Sequence, residues 1–221
     1  KWTGVLTSLP EFDLIPSETG LVIIDMDYRD VSRDHGAGAQ AKRVGADEEF
    51  EYYFSRIEDI VVPNIKRLQD VCRKTGIELI FVRISSLVND LRDMAPIYKH
   101  LKIGDPIGSR ETEILDELKP TPNEVVVTKM CSGAFNGSNI DNILNNMGIK
   151  NLIFCGVNTN YCVETSVRSA GDRDYNVILL SDGCAAFSAE EDAYAMSTLN
   201  DVYCKVKTTD EIISLIQSRA T

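Results

Sequence analysis

Six short apolar runs constrain this chain most: "LVIIDMD" (21–27), "IELIFVRI" (77–84), "EVVVTK" (124–129), "KNLIFCG" (150–156), "NVILLSD" (176–182) and "YCKVKT" (203–208). They are nearly continuous rather than alternating in hydrophobicity, the pattern of strands covered on both faces, and that pattern belongs to a parallel sheet. Parallel neighbours need long crossovers, and the intervals supply them. Residues 54–76 line up Ile57, Ile60, Val61, Ile65, Leu68 and Val71 on one helical side and stop at Gly76. Residues 138–148 open at Ser138 and end at Gly148, residues 188–203 start from Ser188 with acids in the first turn, and 208–218 read as a last helix. The alternation predicts an α/β fold of three layers, α-β-α, around a central six-stranded, mainly parallel sheet of Rossmann-like order 3-2-1-4-5-6. One domain is expected over 1–221.

Two stretches do not fit the repeat. Residues 28–50 are polar and rich in Gly and Ala, and residues 85–122 carry "APIYKHLKIGDPIGSRETEI". Long irregular segments of this kind serve as binding loops, lids or oligomer contacts. With 23 Lys and Arg against 34 Asp and Glu, the formal net charge of -11 argues against a nucleic-acid-binding surface. No apolar run approaches the ~20 residues of a membrane span, and the first thirty residues lack the basic-apolar-small order of a secretion signal. Cysteines stand at 72, 131, 155, 162, 184 and 204, several inside apolar runs. A chain this long needs no staples, so reduced thiols and a cytoplasmic setting are expected. No CxxC pair accompanies His35 and His100, so no structural zinc set is expected. "GAGA" at 36–39 lacks the strand-turn-helix context of a dinucleotide loop.

Open α/β sheets bind ligands outside the carboxyl ends of their strands, where the winding direction reverses. Asp25 lies near the end of the first strand, Lys129 closes the third, and Cys162 lies six residues beyond Gly156, where the fourth strand gives way to a helix. In the order 3-2-1-4-5-6 the reversal falls between strands one and four, so Asp25 and Cys162 face one crevice; Lys129 must reach it from farther off. Singly, each residue has an ordinary reading: the Asp as a loop cap, the Cys as packing, the Lys as a solvated strand end. Together they match one chemistry, in which a base takes a thiol proton while a cation and a helix N-terminus lower the thiol pKa.

The chain resembles the isochorismatase-like cysteine hydrolases, the superfamily that includes nicotinamidases, N-carbamoylsarcosine amidase, ureidoacrylate amidase and biuret hydrolase. The resemblance rests on "LVIIDMD", "VVTKMCSGAFNGSNID" and "GVNTNYCVETSVRSAGDRDYNVILLSDGCAAFS", in that order across roughly residues 20–200. It implies Asp25 as general base, Lys129 as basic partner and Cys162 as nucleophile. It also implies a cis peptide between Val157 and Asn158, with the backbone N–H groups of Asn158 and Cys162 as oxyanion hole. The reaction implied is hydrolysis of a small amide, carbamoyl or ureido compound through a thioester, releasing ammonia or an amine, with no cofactor. Family members commonly form dimers or tetramers, and the two long segments are the interface candidates.

Departures narrow the reading. Asp27 stands where family members often have glutamine. The stretch after the second strand, "VRISSLVND", contains none of the histidines that hold the nicotinamidase metal, so no metal is expected. The isochorismatases proper lack the nucleophilic cysteine, so Cys162 favours C–N over enol-ether hydrolysis. Arg83, at the end of the second strand, is a candidate to receive a substrate carboxylate in a bidentate pair. Tyr28, Arg29, Phe135, Asn158, Asn160 and Tyr161 are further pocket candidates by proximity to the motifs, although Phe135 and Tyr161 read equally as core. A carbamoylated or ureido acid is the first substrate expectation. Two alternatives stay open: an enol-ether hydrolase in which Cys162 is dispensable, and a non-catalytic binding member of the same fold.

Overall fold

The computed structural model describes residues 8–218; residues 1–7 and 219–221 of the expected domain span lie outside the described residues. Six strands form one sheet: β1 Thr19–Ile24, β2 Glu78–Ile84, β3 Val125–Lys129, β4 Asn151–Val157, β5 Asn176–Ala185 and β6 Lys205–Lys207. All pairings are parallel and the order is β3-β2-β1-β4-β5-β6, as the apolar runs predict. Every residue of β1 and β4 is buried, whereas the edge strands β3 and β6 are partly open. Unbroken hydrophobicity in the central runs thus reflects cover on both faces.

Alternate residues feed two cores. Leu21, Ile23, Leu79, Phe81, Ile153 and Ile178 pack with the helices Val62–Thr75 and Thr209–Gln217. Val22, Ile24, Ile80, Val82, Phe154 and Leu179 pack with the helices Ile140–Asn146 and Glu164–Gly171. The predicted helix 54–76 runs from Glu51 to Thr75 but widens to a π turn at Ile57–Val61. Pro63 stands two residues beyond it; it has no N–H to donate and its ring crowds the preceding turn. Gly76 ends the helix at φ 80, its N–H donating to the Cys72 carbonyl. Ser188 caps Ala189–Leu199, and Thr208 and Glu211 form a capping box for Thr209–Gln217. The helix expected to run to 203 stops at Leu199, where Asn200 turns extended.

The stretch 28–50 is not the irregular loop that its composition suggests. It holds the helices Tyr28–Val31 and Gly36–Val44 and a 3-10 turn at Asp47–Phe50. Gly36 sits at φ 41, and a Cβ there would collide with the Arg29 carbonyl. The glycines therefore permit close packing of one short helix on another, a use that composition alone does not reveal. Segment 85–122 is largely irregular as expected, with one short helix, Pro96–His100. No described helix is long and apolar enough to cross a membrane.

Candidate active site

The sheet reverses direction between β1 and β4, and one glycine sets how closely their ends meet. Gly156 pairs in register with Ile24, at φ 112, and an added Cβ would collide with the Ile24 carbonyl. The chain leaves β1 at Asp25, which takes a left-handed φ of 50 and donates its N–H to the Val82 carbonyl at 2.8 Å. Aspartate is among the residues that tolerate this region. Beyond β4 the Val157–Asn158 peptide is cis, and a helical stretch begins with a π turn at Thr159–Val163. The Tyr161 and Val163 amides donate to the Asn158 carbonyl, and the Thr159 hydroxyl donates to the buried Asp192 carboxylate, fixing the turn that carries Cys162.

Lys129 reaches across from the end of β3 and is fully buried. Its Nζ lies 2.8 Å from Asp25 Oδ2, 3.4 Å from Cys162 Sγ and 3.2 Å from the Cys131 carbonyl. Base, cation and thiol thus meet in one buried place. Burial works against the Lys129 ammonium, but the charges of Asp25 and Cys162 overcome it and hold its pKa above the ordinary lysine range. Burial lifts the Asp25 carboxyl, against the pull of Lys129. Burial, and then the Asp25 charge, push the Cys162 thiol up to about 12, with Lys129 opposing only in part. The expectation of a thiol with a lowered pKa does not hold in this resting arrangement: desolvation outweighs the cation. Such a thiol needs the adjacent base in order to react.

The family model described as "Isochorismatase domain" matches residues 19–211. This chain belongs to the isochorismatase family. Among its relatives, the ureidoacrylate amidohydrolase RutB of Rhizobium rhizogenes is 27% identical over 205 residues, covering 80% of this chain and 74% of the relative. A cysteine hydrolase from Pseudomonas syringae pv. phaseolicola superposes with a TM-score of 0.80 at 24% identity, covering 96% of this chain and 99% of the other. The N-carbamoylsarcosine amidase of Thermoplasma acidophilum gives 0.67 at 24%, covering 87% and 97%. These two likenesses show the shared fold.

Around Asp25, Lys129 and Cys162, the other sequence candidates separate. Arg83 donates to the Thr112 carbonyl at 3.2 Å and to Thr128 Oγ1 at 3.4 Å, so its guanidinium fastens segment 85–122. Arg29 is ion-paired with Asp105 of the same segment. Tyr28 bonds the Asp116 carboxylate and lies under the Arg110 guanidinium. Phe135 is core, tilted against the Tyr175 ring, and Tyr161 is exposed. Asn158, before the turn that carries Cys162, and Asn160, within it, each keep a buried side-chain atom, Nδ2 and Oδ1, without a hydrogen-bond partner.

Ser132, Tyr98 and Asp30 were missed by sequence reasoning, which singled out Asp27 only as a departure from the family pattern. Ser132 Oγ lies 3.6 Å from Cys162 Sγ, and the Tyr98 phenol, pushed up to about 12 chiefly by burial, interacts with Ser132 and Cys162. Tyr98 comes from the helix Pro96–His100, in a segment whose fold nothing local announces. Asp27 and Asp30 complete a cluster with Asp25 in which one oxygen of each lies within 4.8 Å of the others. The spacing "DMDYRD" was the available clue, since acids at 25, 27 and 30 converge once β1 ends in a helical turn. That is the one group among the described residues with donors placed for a cation, although Lys129 already sets its charge against Asp25. His35 lies apart from it, its Nδ1 3.6 Å from Glu111 Oε1.

Proposed function

We propose that this isochorismatase-family hydrolase cleaves a non-peptide C–N bond of a small amide, carbamoyl or ureido compound, using Cys162 as nucleophile. The observation that carries the reading is the buried contact of Lys129 Nζ with both Asp25 Oδ2 and Cys162 Sγ. Asp25 takes the thiol proton, and the sulfur attacks the substrate carbonyl. The oxyanion is received by the N–H groups of Asn158 and Cys162; a donor of this type is worth about 3–4 kcal/mol. Asp25 returns the proton to the leaving nitrogen, which departs as ammonia or an amine. Water, deprotonated by Asp25, then cleaves the thioester to the acid and restores the thiol. Lys129 keeps Asp25 and the developing thiolate in register and compensates their charge.

The relatives named as amidohydrolase and amidase support this bond class. The same reading includes a homo-oligomer with segment 85–122 at its contacts, since Leu87, Ile97, Leu101 and Ile107 stand exposed along it; light scattering in solution tests that part. The chemistry is tested by ammonia release from biuret, N-carbamoyl amino acids, ureidoacrylate, maleamate and nicotinamide, with the Cys162→Ala variant alongside. Release by the wild type alone is expected. Equal turnover by Cys162→Ala overturns the mechanism. No turnover of any compound favours a binding role.

A further inference from the structure

We propose that Asp27 and Asp30 make this site select substrates that present N–H donors and carry no carboxylate. The inference rests on the hydrolase reading above and concerns what that site admits.

The unmatched groups around the triad are mostly acceptors. Asp27 is fully buried; its Oδ1 accepts the Asp30 N–H at 3.3 Å, and its Oδ2 is buried without a hydrogen-bond partner. Neither oxygen of Asp25 is in hydrogen-bond geometry, although Oδ2 is ion-paired with Lys129. Asn158 Nδ2 is the unmatched donor nearby, on a side chain that interacts with the buried Tyr53 phenol, which also faces the three aspartates. Buried polar atoms are costly to leave unpaired, so these positions call for a ligand. Their complement is a group with several N–H bonds and one carbonyl, as in a primary amide or a urea.

The cations that a carboxylate would need are committed elsewhere. Arg29 is ion-paired with Asp105 and Lys129 with Asp25, while Arg83 bonds the Thr112 carbonyl and sets its charge against Asp27 and Glu113. Burial and the neighbouring carboxylates already lift Asp27 well above the usual range and Asp30 to about 7. Asp30 is therefore charged only above about pH 7, where a further anion meets its repulsion and N–H donors or a cation favour its ionised form. At an effective dielectric of about 20, one like charge ~5 Å away is worth on the order of a hundredfold in affinity. Asp27 and Asp30 thus act on specificity, and Arg83, bonded to the Thr112 carbonyl and facing the Asp27 charge, is not left free to receive a substrate carboxylate.

Three ureas with one ureido head and different tails test this: ethylurea, 2-aminoethylurea and N-carbamoylglycine. Binding to the Cys162→Ala variant is measured by calorimetry, and kcat/KM on the wild type. At pH 8.5, where Asp30 is ionised, the neutral and cationic compounds should exceed the anionic one by roughly a hundredfold, and the gap should narrow at pH 6. In an Asp27→Asn, Asp30→Asn variant the gap should shrink at least tenfold, mostly in KM. N-carbamoylglycine binding as tightly as ethylurea, or tighter, overturns the inference. If it is also hydrolysed only when Cys162 is present, the hydrolase reading stands without it. The wild-type series decides the matter even if the double variant does not fold, and turnover independent of Cys162 would instead refute the hydrolase reading.

Discussion

Replacing Asp25 with Asn removes a charge from the most buried ion pair among the described residues while keeping its shape. Lys129 is fully buried and would retain only the Cys131 carbonyl at 3.2 Å and the Cys162 sulfur at 3.4 Å. Removing one partner of such a pair costs about 3–5 kcal/mol; asparagine keeps a carbonyl dipole, which places the expected loss near the lower end. Losing the general base should also lower turnover by roughly a hundredfold to ten-thousandfold. The pH dependence separates this cause from a general loss of packing. In the wild type the Lys129 pKa is held up, so its stabilisation is complete below the unfolded value of 10.5 and is lost only as pH rises through the higher folded value. Without the Asp25 charge, burial prevails and the folded pKa drops below the unfolded one. The variant's deficit is then largest at low pH and shrinks as pH rises between the two values, by up to about 1.4 kcal/mol per pH unit. Urea unfolding of both proteins at pH 6, 7.5 and 9 measures it. A deficit under about 1 kcal/mol that does not change with pH would refute the assignment of a charged, buried Lys129–Asp25 pair.

Two further outcomes follow from the same geometry. Because the Cys162 thiol is pushed up to about 12, alkylation of the ligand-free protein by iodoacetamide should be slower than that of free cysteine at pH 7.5. Its rate should climb nearly tenfold per pH unit to pH 9, and Lys129→Ala should slow it further; a plateau below pH 8 contradicts the desolvated thiol. Gly156→Ala forces a side chain into the Ile24 carbonyl at a positive φ, so a loss of at least about 3 kcal/mol, or of soluble protein, is expected. A urea midpoint equal to that of the wild type would show that β1 and β4 can part without cost.

The sheet was legible in the sequence because its signal is local. A strand covered on both faces must be apolar throughout, and six such runs with helical intervals leave little beyond a parallel α/β sheet. The positions of Asp25, Lys129 and Cys162 at strand ends were legible for the same reason, since topology alone brings those ends together at the reversal. What each side chain does there depends on partners far away in sequence. Arg83 and Arg29 read as free cations until segment 85–122 folds over them and supplies the Thr112 carbonyl and the Asp105 carboxylate. Tyr98 has no helical or strand periodicity that points to Cys162, and the glycines of 36–39 acquire meaning only against the Arg29 carbonyl. The thiol pKa is the clearest case. Sequence shows the nearby cation and the helix start, which lower it, but burial is a property of the whole packed site, and here burial is the larger force. Sequence alone thus determined the sheet and which residues meet at its reversal, while tertiary packing decided their protonation and which charges remain free to meet a substrate.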